Sequence, residues 1–484
     1  MSNEGATMEE KTVYPQHGES NSQLHVPGSV EAEQSAKKPT RSFRQLFPQY
    51  VVLPHLITNS FVLVGFIIFL VTLCYQWIYA GFLWNPLGRV SHLEVALVNQ
   101  DTGFNFNGVP TEVHQLMLGL FSGDSAGKLV SSTIMNPALP LYHALTWSAL
   151  PDSTTREEAI ETLNHGDYWA LLYIPSNFSQ NFLSATNAAT RQSWEVEWIF
   201  DQGRNYNTQS FLRQAKNLAF DAFSSSLAKQ FLTSKAGPML TQAMDPMLWV
   251  DFLKVRETVL HPVRAYGSNF ASYVAFVVSY IGCLLTVTIV SKFLRMREVS
   301  RSWKFPAVRV VMAWGFLAAV LTLFQSISIM IPSVSLANNQ FEWRNAGYAI
   351  AFVWYTSFAF LSILFLMAIL LSAEGFQVPG TLLLVLQLTT SDGIISNVLQ
   401  PGLAKVGLAF PMYYGVRGLR SIFYGSLTHT MWINWLVITA WIVVPGLLSM
   451  ILARYKLRRL RHENNNNGKI GDIVASEDPT YCSV

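Results

Sequence analysis

The chain has 484 residues, 50% of them apolar and only 13% charged, where an average soluble chain carries about 25% charged residues. With 31 phenylalanines, that composition excludes a disordered or solvated chain and points to a membrane protein. The net charge of +3 says little, because its distribution matters more than its sum, and no nucleic-acid partner is expected.

In chain order, residues 1–45 are polar and poor in aromatics and read as a disordered cytoplasmic tail. A first transmembrane span is expected over 56–84, with Trp77, Tyr79 and Trp84 placed for the outer interface. Residues 89–264 then form a long polar region with 16 acidic and 12 basic residues. It contains no cysteine, so neither disulfides nor a zinc module hold it, and it needs its own core.

That region opens on LEVALVNQDTG (93–103). Leu93, Val95 and Leu97 share one face and Ala96 and Val98 the other, which reads as a strand buried on both sides. Asn99, Asp101 and Gly103 fit an Asx-type turn, with an exposed binding site as the alternative. VHQLMLGLF (113–121) is consistent with a helix, and LYHALTWSAL (141–150) reads as strand. TTREEAIETL (154–163) starts with a capping box, Thr154 with Glu157. YWALLYIP (168–175) reads as a strand stopped by Pro175, and EVEWIF (195–200) alternates. Residues 208–232 repeat apolar positions at a helical period. Alternating strands and helices imply a compact α/β domain. Asn177-Phe178-Ser179 is one N-glycosylation acceptor, with Asn177 as the modified residue.

Five further apolar runs follow: Phe270–Ile289, Val308–Ile331, Ala346–Leu371, Val378–Val398 and Met431–Leu452. The expected fold is an α-helical integral membrane protein with six spans in a 1 + 5 arrangement. A large extracytoplasmic α/β domain is inserted after the first span, and a five-span membrane domain covers 270–453. Residues 454–484 are expected to form a second disordered cytoplasmic tail. Lys and Arg cluster before the first span, in the 292–309 linker and in ARYKLRRLRH after the last. With six spans all three lie on one side, which the positive-inside rule makes cytoplasmic. Localisation to a plasma membrane or endomembrane follows. The fifth run contains Asp392, Gly393 and a Ser/Thr cluster, so it is either a span or a broken or re-entrant element.

Chemistry-bearing motifs are sparse. GDSAGKLVSS (123–132) has a Gly-Lys step, but Ser122 stands where a P-loop needs Gly and Leu follows Lys128. There is no H-E-x-x-H and no G-x-S-x-G, and the ten His are scattered. An enzyme is the least favoured class, and no cofactor or metal site is expected. Ionisable groups near the membrane are the remaining candidates. Glu374 closes the fourth run and reads first as solvated at the interface. Asp392 either lines a pathway or caps a broken helix with Ser391 and Gly393. Arg417 and Arg420, three apart, share a helix face. There they either meet lipid phosphates, or snorkel to the interface or pair with outer-domain carboxylates.

One span, a large outer domain and five spans resemble the layout of type-2 ABC exporter permeases and phage-infection-protein-like membrane proteins. LEVALVNQDTG is similar to the start of their outer domain. GDYWALLYIPSNFSQNF (166–182) resembles their Ile-Pro-x-x-Phe-Ser element, and FPMYYGVRGLRSIFYG (410–425) the stretch before their last span. Over about 45–460 the chain resembles the fungal nitrosoguanidine-resistance membrane proteins, a family with a domain of unknown function. That resemblance implies a fungal protein of drug resistance, and of the transbilayer distribution of aminophospholipids. Membrane lipids, a homodimer and a separate ATPase docking on the 292–309 linker are the implied partners. The leading expectation is an exporter-like or lipid-handling protein. The rival is a non-transporting regulator or scaffold whose outer domain binds a partner.

Overall fold

The computed structural model describes residues 59–107, 114, 118, 125–138, 140–185, 195–233, 253–293, 306–336, 343–372 and 375–477. Residues 67–484 form one compact unit. Of the preceding unit, 1–66, the described part is the start of helix α1 (Asn59–Leu83). The expected tail 1–45, most of 113–121, most of the 292–309 linker, and Glu374 lie outside the described residues.

The polar region builds a five-stranded mixed sheet. Its strands are β1 (Glu94–Asn99), β2 (Thr146–Ala149), β3 (Ala170–Ile174), β4 (Glu195–Asp201) and β5 (Lys254–Leu260), in the order β2-β1-β3-β4-β5. Only the β3–β4 pair is antiparallel. The two-sided reading of β1 holds, since Leu93, Val95, Leu97, Ala96 and Val98 are all buried. Helices cover both faces. On one, α2 (Ala126–Ile134), α5 (Phe178–Ala185) and α6 (Tyr206–Thr233) pack over Val95, Leu97, Leu172 and Trp198. On the other, α4 (Arg156–His165) places Ala159 and Leu163 against Ala96, Val98 and Leu171. Each large apolar side chain buried this way contributes roughly 1.5–3 kcal/mol.

Three local expectations change. LYHALTWSAL is not one strand: its first half is the short helix α3 (Pro140–Ala144), and only Thr146–Ala149 is extended. Proline at the first helical position has its φ preset, and it has no N–H to leave unpaired there. The capping box of α4 is Thr155 with Glu158, one residue later than Thr154 with Glu157. Two Thr and two Glu in tandem offer both registers, and the observed one turns Ala159 and Leu163 inward. Strand β5 was not anticipated. Its alternation is masked by Lys254, Arg256 and Glu257, charges that protect a sheet edge.

Among the described residues, four helices are long and apolar enough to cross a membrane. These are α7 (Tyr266–Phe293), α8 (Pro306–Ser335), α9 (Trp343–Leu371) and α12 (Met431–Glu477). Their outward faces carry exposed apolar groups such as Phe316, Phe324 and Ile451, as lipid contact requires. Polar groups join them inside: Gln325 Nε2 donates to the carbonyls of Val278 and Ser279, each at 3.0 Å. The last helix continues to Glu477, through the segment expected to be a disordered tail. Its sequence ARYKLRRL is rich in helix formers.

The fifth apolar run is not one continuous helix, which is the broken alternative its Asp, Gly and Ser/Thr residues left open. It begins as α10 (Gln377–Thr390), only 14 residues, or about 21 Å against a hydrocarbon core of about 30 Å. The chain then breaks, passes through 3₁₀ turns at Asn397–Leu399 and Gly402–Ala409, and resumes as α11 (Pro411–Tyr424). The segment folds back on itself, with Gln400 Nε2 donating to Thr389 O at 2.7 Å. At Gly407 a Cβ would lie 2.1 Å from Thr390 O, so only glycine permits this return.

Candidate functional site

The break is built by residues whose backbone cannot continue α10. Asp392 sits at φ +61°, the left-handed region that Asp tolerates better than most residues. Its carbonyl and that of Gly393 would be left unpaired at a buried helix end. Arg420 of α11, 3% exposed, supplies the donors. Its guanidinium donates to Asp392 O at 2.8 Å, Gly393 O at 2.8 Å and Arg204 O at 3.1 Å. It also lies 3.5 Å from the Asp392 carboxylate. A flat guanidinium can serve three carbonyls and a carboxylate at once, where an ammonium cannot.

The same break is anchored in the sheet domain. Asn205 caps α6 by accepting from Thr208 N at 3.1 Å, and its Nδ2 donates to Asp392 O at 2.8 Å. Asn207 Nδ2 donates to Ile394 O at 2.8 Å, and Ser396 N donates to Thr208 Oγ1 at 2.8 Å. Ile395 and Leu399 are buried within the sheet domain's main core. Part of the fifth apolar run is therefore core for the α/β domain, not for the bundle.

Between these parts lies a cavity of about 230 Å³. Arg204 stacks over the Trp169 ring with its Cζ 3.7 Å from the centroid, and its Nη1 donates to Tyr168 O. Arg417, Arg420, Lys405 and Asp392 also line the cavity. Four cations against one carboxylate leave a formal excess of three positive charges. Asp201 lies outside the lining, where Ser426 Oγ donates to it and His261 Nδ1 faces it at 3.2 Å.

The predicted residues thus divide. Asp392, Arg417 and Arg420 come together at this cavity, but with different parts. Arg420 and Asp392 complete the broken helix, so Ser391 and Gly393 are not its main cap. Arg420 bonds carbonyls and Asp392, in place of an outer-domain carboxylate. Arg204, Asn205, Trp169 and Asn397 were missed, and the polar Asp-Gln-Gly-Arg-Asn knot after β4 was the available signal.

The Asn99, Asp101, Gly103 turn lies elsewhere and is explained by structure. Asn99 Oδ1 accepts from Asp101 N at 3.2 Å, the Asx bond expected, and Gly103 takes φ +88°. Asp101 Oδ2 accepts from Ser125 Oγ, Ser179 Oγ and Gly127 N, and Oδ1 from Ser179 N. One carboxylate thereby ties the N-termini of α2 and α5, where negative charge is favoured. Asn177 is exposed, while the Ser179 of its acceptor triplet is wholly buried in this knot.

Other charged groups of the sheet domain serve its packing. Two hydrogen bonds from Arg156 to Glu197, each 2.8 Å, hold that carboxyl below the usual range although burial pushes it up. Burial also pushes Glu257 up, but Lys216 and Arg213 outweigh it and the net direction is down. The Asp201 carboxylate, 3.2 Å from Nδ1, raises His261 against the opposing effect of burial. No cluster of metal-ligating side chains occurs among the described residues.

Fold and site together define a membrane-embedded helical protein carrying an inserted mixed-sheet domain, with a cationic cavity where the two meet. The chain belongs to the family described as "Protein of unknown function (DUF3533)", which it matches over residues 64–447. It is also similar to the uncharacterized protein YhgE of Bacillus subtilis, at 27% identity over 188 residues, which are 38% of this chain and 23% of that protein. The match therefore spans under a quarter of the relative's length. No solved structure matches the chain.

Proposed function

We propose that the protein is an exporter-like or lipid-handling integral membrane protein that works through the cavity beside the broken α10–α11 pair. One observation carries the reading: a broken helix with buried charge, walled by the sheet domain, opens toward exposed Lys405 and Leu408. Irregular backbone at membrane depth is costly unless it lines a cavity or is buried in protein. Intramembrane ionisable groups mark substrate pathways by default. The sheet domain is extracytoplasmic in this reading. Support comes from Lys292 in the last turn of α7 and from the basic residues at 454–459, after the apolar part of α12, which follow spans that start beside that domain. Resistance to toxic compounds then arises by efflux or by altered lipid distribution, and a separate ATPase supplies energy.

The test is reconstitution of full-length protein in liposomes with ATP, a proton gradient or a co-purifying ATPase. Redistribution of a headgroup-labelled lipid, or efflux of an amphiphilic dye, is expected in at least one condition. No movement in any of them would leave the protein as a non-transporting regulator.

A further inference from the structure

We propose that this cavity is a binding site for a phosphate group bearing net negative charge. The inference rests on the lipid-handling reading and names its ligand class. Three observations carry it. The charge excess of three needs an anion, because cations gathered in a partly desolvated pocket repel one another. The cations are also unequally committed: Arg420 is used by the broken helix and Arg204 by Tyr168 and Trp169. Arg417 is different: it meets Tyr413, but its buried Nε has no hydrogen-bond partner. Third, Asn397 is 8% exposed and lines the cavity, and neither its Oδ1 nor its Nδ2 is paired. Buried polar atoms are nearly always satisfied, so such a set calls for an explanation. A phosphate accepts from a guanidinium edge and from the Asn397 Nδ2 amide at once, and Lys405 at the rim adds a point charge.

Size narrows the class. Sites that enclose a drug-sized molecule measure about 300–1,000 Å³. At about 230 Å³ this cavity suits a headgroup and not a whole amphiphile. The exposed Leu403, Val406 and Leu408 beside Lys405 offer an apolar path for attached chains. A lipid headgroup and a soluble phosphate ester share this chemistry.

The experiment uses full-length protein in neutral detergent, titrated calorimetrically. One arm adds inorganic phosphate against chloride at matched ionic strength. The other adds short-chain phosphatidic acid, with phosphatidylcholine as the net-neutral control. Binding is expected in at least one arm, weakened at least about ten-fold by Arg417→Gln, as for loss of a hydrogen bond to a charged group. Binding of phosphatidic acid alone assigns a lipid, and binding of inorganic phosphate alone assigns a soluble ester. Lys405→Glu reverses an exposed rim charge without touching the core, and it should weaken the same binding even if Arg417→Gln fails to fold. No binding in either arm, equal binding of phosphatidylcholine, or binding indifferent to Lys405→Glu overturns the site. Binding as expected with no lipid movement in liposomes removes the transport reading and leaves the site standing.

Discussion

Replacing Arg420 by alanine tests whether the broken helix depends on one guanidinium. The side chain is 3% exposed and serves three carbonyls and the Asp392 carboxylate. Asn205 Nδ2 still reaches Asp392 O, but Gly393 O loses the donor seen here. Removing one partner of a buried ion pair costs about 3–5 kcal/mol, because the remaining charge stays buried and uncompensated. Arg420→Lys keeps the charge but not the fork, and it should fall between wild type and alanine. Pairing Arg420→Met with Asp392→Asn removes both charges, and Asn also tolerates positive φ. The double variant should therefore be more stable than Arg420→Met alone, by at least about 1 kcal/mol. Thermal unfolding in detergent, followed by size-exclusion fluorescence, ranks the four variants against wild type. An Arg420→Ala protein within about 1 kcal/mol of wild type would refute the reasoning. So would a double variant no better than the single.

Two further predictions concern the sheet domain. Asp101→Ala strands two hydroxyls and two N–H groups at the starts of α2 and α5. A loss of roughly 3 kcal/mol or more is expected, seen as reduced protein yield and faster proteolysis of the domain. Normal folding with lost function would instead restore the binding-site reading of that turn. For His261, the Asp201 carboxylate facing it raises its pKa, so the pair stabilises fully below the ordinary histidine value of about 6.5 and fades as pH rises through the raised one. Unfolding measured from pH 6 upward should show this loss in wild type and not in His261→Phe.

Much of the plan is legible in the residues. Composition places the chain in the membrane, and long apolar runs mark α7, α8, α9 and α12, because a spanning helix needs only length and apolarity. Strand β1 and its Asx turn are equally local, since period-two burial and an i to i+2 side-chain bond involve near neighbours. The run at 378–398 misleads for the same reason. Its apolarity serves two cores: α10 faces the bundle, while Ile395 and Leu399 fill the sheet domain. Hydropathy records that a side chain avoids water and not which core receives it.

Tertiary structure decided the site. Asp392, Arg417 and Arg420 are close in sequence, yet their roles depend on Arg204 and Asn205, with separations of 187 for Asn205–Asp392 and 216 for Arg204–Arg420. Three arginines meet one carboxylate only because the broken segment docks on the turn between β4 and α6. The sequence alone determined which segments leave water, since that depends on each residue's own transfer free energy. The fold determined which charges become neighbours, because Coulomb and hydrogen-bond energies depend on distances that only the folded chain sets.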